Sequence, residues 1–182
     1  MTAGLIRTGC EGGDAVGILS DQIAIEEIWT YDRAPGRRIL FPWSVPDLPR
    51  GTVQMDLVFN EALPSPTISL PIADDDGCAC TLECASAEQS LAWKVLWLHT
   101  DRFPQGKDLY DAVLLAEYVR LAPALLHETL ASSPDAMRCP FTAESPRRWH
   151  VDWKNFQLEY PTVQGDVQSW ISRLIAALFP TE

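Results

Sequence analysis

The run SAEQSLAWKVLWLHTDRFPQGKDLYDAVLLAE, residues 86–117, decides how this chain is read. Ser86 followed by Gln89 has capping-box spacing, in which hydroxyl and amide each satisfy a backbone N–H left open at a helix start. A helix is therefore expected from Ser86 to about His99. At roughly 100° per residue, Leu91, Val95 and Leu98 share a face, and Lys94 falls between Trp97 and Leu98. A charge set among such groups has two readings. Either the lysine stem lies on the apolar surface while its ammonium snorkels to water, or the lysine faces an anion in a site.

Phe103-Pro104-Gln105-Gly106 is a turn that stops this helix, and a second is expected to begin near Lys107. Asp108 and Asp111 are three residues apart and share a face, which Ala112, Leu115 and Tyr118 continue toward the expected core. Acids in a first turn complement the helix dipole, worth about 0.3–1 kcal/mol each, which accounts for one inward aspartate more readily than two. A buried carboxylate stays ionised only beside a cation or hydrogen-bond donors, and Lys94 on the preceding antiparallel helix can supply one.

Upstream, Val53, Met55, Leu57 and Phe59 alternate with Gln54, Asp56 and Val58, the period of a strand. If the apolar face is core, Asp56 lines a cleft on the other side, where a metal-binding carboxylate would stand; otherwise it is an ordinary exposed acid. Further strands are expected around Ile23–Trp29 and over Arg38–Trp43, ending at Pro42 or soon after, behind a loose lead-in over residues 1–19. From Leu82 onward the pattern turns helical. Pro123 marks a new start within 120–132, Ser145-Pro146 opens a helix carrying Trp149, Trp153 and Phe156, and a last helix spans about Gly165–Phe179 with Trp170, Ile171 and Leu174 on one stripe. Strands first and helices second imply an α+β fold in a single domain over 1–182, strand-rich over 1–85 and helical over 86–182.

Composition narrows the function classes. With 182 residues, 47% of them hydrophobic, the chain can bury a sizeable core, and it has no run of 18 apolar residues and no signal-peptide core, so a cytoplasmic protein without membrane contact is expected. A formal charge of −11 works against bulk binding to phosphate backbones. Arg33, Arg37 and Arg38, and separately Arg138, Arg147, Arg148 and Lys154, leave local basic patches that are either solvated faces or contacts for RNA. Five cysteines include Cys78, Cys80 and Cys84 in a C-x-C-x3-C spacing that differs from paired zinc knuckles, and the odd number fits reduced thiols. Asp74-Asp75-Asp76 follows Pro71 and precedes Gly77, the setting of a solvated loop.

The order Glu88, Ala92, Lys94 and then KDLYD at 107–111 resembles the C-terminal signature of the AbiEii/AbiGii nucleotidyltransferase toxins of bacterial abortive-infection, phage-defence and toxin–antitoxin systems. Tyr31, Gly36 and Arg37, the strand Val53–Phe59 and Pro64 are similar to that family's tyrosine, glycine, arginine, strand aspartate and proline order, so the likeness runs from about residue 20 to the end. The resemblance implies a nucleotidyltransferase-like mixed sheet followed by a helical region, Mg²⁺ and an NTP as cofactors, an RNA acceptor, and an antitoxin protein as partner. Position by position it implies Asp56 as metal ligand, Lys94 and Lys107 as nucleotide-binding groups, and Lys94, Asp108 and Asp111 as catalytic residues. Trp93 stands where the family usually has Glu, and Asn60-Glu61 where it has Gly-Asp. The glycine-rich turn and Asp-x-Asp pair that open the family's sequence are not found: Gly12-Gly13 is followed by Asp14 and Gly17 rather than by a helical pattern. Two functions follow: a toxin transferring a nucleotide from an NTP to RNA or protein, or a shortened, catalytically inactive relative that acts as an interaction module.

Overall fold

The computed structural model describes residues 16–30, 34–59, 63–73 and 79–180. Tyr31, Arg33, Asn60, Glu61, Cys78, the 74–76 aspartates and the Gly12-Gly13 pair lie outside them. The architecture is α+β, with two antiparallel sheets and, downstream, six α-helices among the described residues. Two compact units divide the chain, Met1–Ala62 and Leu63–Glu182.

The first unit is a sheet of β1 (Gly17–Ile18), β2 (Ala24–Thr30), β3 (Ala34–Ser44) and β4 (Gly51–Val58). The long β3 is central. Its first part pairs with β2, its last two residues pair with β1, and β4 runs along its other edge. Pro42 falls between the Ala24↔Leu40 and Ile18↔Trp43 pairs, so its missing N–H removes no rung on that side, and its carbonyl accepts from the Leu19 N–H at 2.8 Å. The register stacks Ile25, Ile39 and Met55 on one face and Glu26, Arg38 and Asp56 on the other. Alternation in β4 is therefore as expected, but the expected core face is not buried. Val53, Met55, Leu57 and Phe59 are 52%, 48%, 38% and 43% exposed. Strand periodicity determines which residues share a face, not whether another layer covers it.

The second unit opens with a hairpin of β5 (Ile68–Ala73) and β6 (Ala79–Cys84). Neither strand was legible as such: Pro71 argues against one and Leu82 reads as helix. In a two-stranded hairpin every strand is an edge, which tolerates proline. The Glu83 carboxylate, across from Ser69, accepts hydrogen bonds from the hydroxyls of Ser69 and Thr67.

The helices follow as α1 (Ala87–Thr100), α2 (Gly106–Tyr118), α3 (Pro123–Ala131), α4 (Pro134–Arg138), α5 (Trp153–Glu159) and α6 (Val167–Leu178). Ser86 caps α1, its Oγ accepting from the Gln89 N–H at 3.1 Å. The reciprocal half of the capping box is replaced: the buried Gln89 amide points to Thr129 on α3, Nε2 to Oγ1 3.4 Å. Leu91, Val95 and Leu98 of α1 are fully buried against Leu109 and Val113 of α2 and Ile171 and Leu174 of α6. Each such side chain contributes about 1.5–3 kcal/mol by leaving water.

Two expectations are corrected here. Tyr118 is 81% exposed: it is the last residue of α2, and although Leu115 and Ala116 of the same turn still pack on the core, Tyr118 is left to solvent. The helix expected from Ser145 is broken into a short 3-10 turn, Pro146–Arg148, and the separate α5, where Asp152 caps a new start by accepting from the Asn155 N–H at 3.4 Å. Trp153 and Phe156 are core, as their spacing suggests.

Candidate functional site

Lys94 leaves α1 between Trp97 and Leu98 and meets the first two turns of α2. Its Nζ lies 2.7 Å from Asp108 Oδ1 and 3.0 Å from Asp111 Oδ2, and 5.1 Å from the centre of the Trp97 ring. The helical spacing of the two acids and the antiparallel path of the two helices bring the three groups together. The side chains of Lys94, Asp108 and Asp111 are 19%, 16% and 31% exposed, so the cluster is screened from water but still reachable. Burial alone pulls the Lys94 pKa down. Hydrogen bonds and charges from Asp108 and Asp111 outweigh it, and the pKa ends above the ordinary lysine value. The ammonium is thus protonated at neutral pH. Two of its three N–H donors are taken by the aspartates, which leaves one for an incoming acceptor.

Asp101 is a fourth charge that sequence reasoning missed. It is the C-cap of α1, on the stripe of Lys94 and Trp97 by its seven-residue spacing, a signal present in the sequence. Burial, and then the charge of Asp108, raise its pKa above the ordinary aspartate value. An acid at a helix C-terminus also opposes the helix dipole. Among the described residues no ion pair holds its charge.

Lys107 is exposed on the first turn of α2. With Arg102, whose guanidinium lies 5.2 Å from the Phe103 ring, it puts positive charge on the 101–107 connection. Trp93, next to Lys94 on α1, is half-buried and brings no carboxylate.

Asp56 sits in the first unit, on β4. Its Oδ1 accepts from Arg38 Nε at 2.9 Å and its Oδ2 from Arg38 Nη2 at 3.0 Å and Gln54 Nε2 at 3.1 Å. The Arg38 hydrogen bond holds its pKa below the usual carboxylate range. Arg38 is the middle of a charge ladder in which Glu26 stands across β3 from Asp56.

Elsewhere, Arg138 pairs with Asp135 at 3.1 Å and Arg147 with Glu144 at 3.4 Å, while Arg148 and Lys154 are exposed. Cys80, Cys84 and Cys139 are free thiols. A shallow hollow lined by Glu117, Tyr118, Arg120 and Pro180 lies at the opposite end of α2 from Asp108.

A strand-first, helix-second chain with a lysine held by two acids between consecutive helices defines an α+β protein with a charged interhelical site. Residues 5–173 match the family described as nucleotidyl transferase AbiEii toxin, type IV toxin–antitoxin system, and the chain belongs to that family. The comparison with curated proteins found no match, and that with solved structures found none.

Nucleotidyltransferases of this kind generally use an NTP and a divalent metal. Mg²⁺ takes one or two carboxylates together with water and phosphate oxygens. Both Asp56 oxygens are engaged by Arg38, and Asp108 and Asp111 each commit an oxygen to Lys94. Among the described residues no three His, Cys, Asp or Glu side chains converge. These residues, so engaged, do not fit the ion. Among the described residues no helix is long and apolar enough to cross a membrane.

Proposed function

We propose that this chain is a toxin that binds an NTP through Lys94 and transfers its nucleotide to an RNA or protein acceptor in the cytoplasm. The observation that carries this reading is the Lys94 ammonium, fixed at 2.7 and 3.0 Å by two acids with one donor left over and still reachable. In such a transfer an acceptor hydroxyl attacks the α-phosphorus, the bond to the β-phosphate oxygen breaks, pyrophosphate leaves, and the hydroxyl proton passes to a base. Lys94 donates to the polyphosphate and offsets charge building on the leaving group. Asp108 and Asp111 orient Lys94, and one of them accepts from the acceptor if phosphate displaces it from the ammonium. Lys107 adds attraction at the rim. The chemistry has a physical demand: Asp101, Asp108 and Asp111 balance Lys94, Arg102 and Lys107, so the stretch has no surplus positive charge for a triphosphate. An antitoxin is the partner such a system implies.

A second reading, a catalytically silent interaction module, is favoured by the Asp56–Arg38 pair, which ties up the strand aspartate, and by the neutral Lys94 stretch. Lys94→Met separates the two. It keeps the stem on Trp97 and removes the charge. Equilibrium binding of each NTP in Mg²⁺ buffer, with the melting temperature measured alongside, is the test. Loss of binding in a folded variant supports the transferase; a wild-type protein that binds none of the four NTPs, with a sharp drop in melting temperature in the variant, supports the module and sinks the first reading.

A further inference from the structure

We propose that the Tyr160 ring is a stacking platform for a nucleobase, placed beside the Lys94 cluster so that a base rests on the ring while phosphate reaches the ammonium. It rests on the NTP reading of Lys94.

Tyr160 is the C-cap of α5, its N–H donating to the Phe156 carbonyl at 2.9 Å, and it is 42% exposed. Its ring is backed by Phe156, centroids 5.0 Å apart and planes tilted 36°. Phe156 is itself buried, 5.0 Å from Trp153 and 5.5 Å from Tyr110. A ring supported this way loses little freedom when a second ring covers it, which keeps the entropic cost of stacking low.

The position follows from the α2–α5 junction. A parallel bridge joins Gln105 to Asp152, the Asp152 N–H donates to the Pro104 carbonyl at 2.9 Å, and Gly106 admits Phe156 against the first turn of α2. Tyr110, which touches Phe156, precedes Asp111, which holds Lys94. The Tyr160 phenol is raised in pKa by Glu159 first, and the charge of Asp111 also reaches it. It therefore stays neutral, an uncharged aromatic face at the edge of a charged cluster. An aromatic face of this kind takes any base, since every base has a π-surface.

Equilibrium binding of three probes tests this on the full chain in Mg²⁺ buffer: an NTP, inorganic tripolyphosphate, which has the charge but no base, and a short single-stranded RNA. Tyr160→Phe keeps the ring; Tyr160→Leu keeps apolar bulk over Phe156 but not the stacking face. Tyr160→Leu is expected to weaken the NTP roughly 5- to 150-fold, leave tripolyphosphate unchanged, and be rescued by Tyr160→Phe. If the loss falls on the RNA instead of the NTP, the ring does not seat the base of the nucleotide that Lys94 holds, and the proposal is overturned. Equal loss for NTP and tripolyphosphate, or no loss for any probe, overturns it. Should wild type bind neither NTP nor tripolyphosphate, the Lys94 reading fails and the platform falls with it, a result told apart from the others because there tripolyphosphate still binds.

Discussion

Gly106 lies against Phe156 with no room for a side chain: a methyl on Gly106 would stand 2.4 Å from Phe156 Cβ and 2.8 Å from the Asp152 carbonyl oxygen. That contact seats α5 on the start of α2, the turn that also carries Asp108. Gly106→Ala must push α5 away or shift α2, and overpacking of this kind costs about 1–3 kcal/mol. A lowered melting temperature is expected, together with weaker NTP binding, since Asp108 moves with the turn. A variant as stable as wild type would show that the junction yields freely.

Lys94, Asp108 and Asp111 form one coupled group. An exposed pair is worth under about 1 kcal/mol and breaking a buried one costs about 3–5, and this half-screened cluster is expected to fall between. Lys94→Met, Asp111→Asn and the double variant, compared by denaturant unfolding, should be clearly non-additive, with the double variant less destabilised than the sum of the singles. Additivity would mean the two groups do not interact in solution.

The same lysine sets an alkaline limit. Its folded-state pKa lies above the unfolded value of 10.5, so its contribution to stability is fully present below pH 10.5 and is lost as pH rises through the folded value. Lys94→Met should remove that alkaline component from the stability–pH curve, measured by denaturant titration across the range.

Asp101 has the opposite sign from a paired acid. Its folded pKa is raised above the unfolded 3.8, so the native state holds its proton more tightly, and stability falls as pH climbs from 3.8 through the higher folded value. Asp101→Asn is expected to be more stable than wild type at pH 7 and indistinguishable from it below pH 3.8. If the variant is the less stable one at neutral pH, the carboxylate has a favourable partner in the fold.

Ser86→Ala removes the Oγ that accepts the Gln89 N–H, a loss of about 0.5–2 kcal/mol. Ser86→Asp should recover most of it, because a carboxylate caps the same N–H and suits the helix start. Thermal unfolding of the two variants is the measurement.

Much of the second unit was legible because its signals are local. Ser86, Pro123 and the Asp108–Asp111 spacing act within a turn or two of the backbone, and the meeting of Lys94 with both acids follows from helical geometry plus one short connection. The β5–β6 hairpin and the break before α5 were not legible. A lone proline and a lone leucine point equally to several states, and only the pairing partner across the hairpin, or the Asp152 cap, selects one. Asp56 shows the same division within one strand: alternation assigned its face, while its partner Arg38 lies 18 residues away and was set by register.

Taken by itself, then, the order of residues determined the α+β class, the starts of α1, α2 and α3 and the three groups of the interhelical site, since these rest on short-range periodicity, capping and spacing, while the family was carried by a resemblance of motifs in order along the chain. Tertiary structure alone decided that Arg38 engages Asp56, that Gly106 seats Phe156 on the first turn of α2, and that the apolar face of β4 is exposed. Those depend on which distant segments approach, and chain proximity carries no information about that.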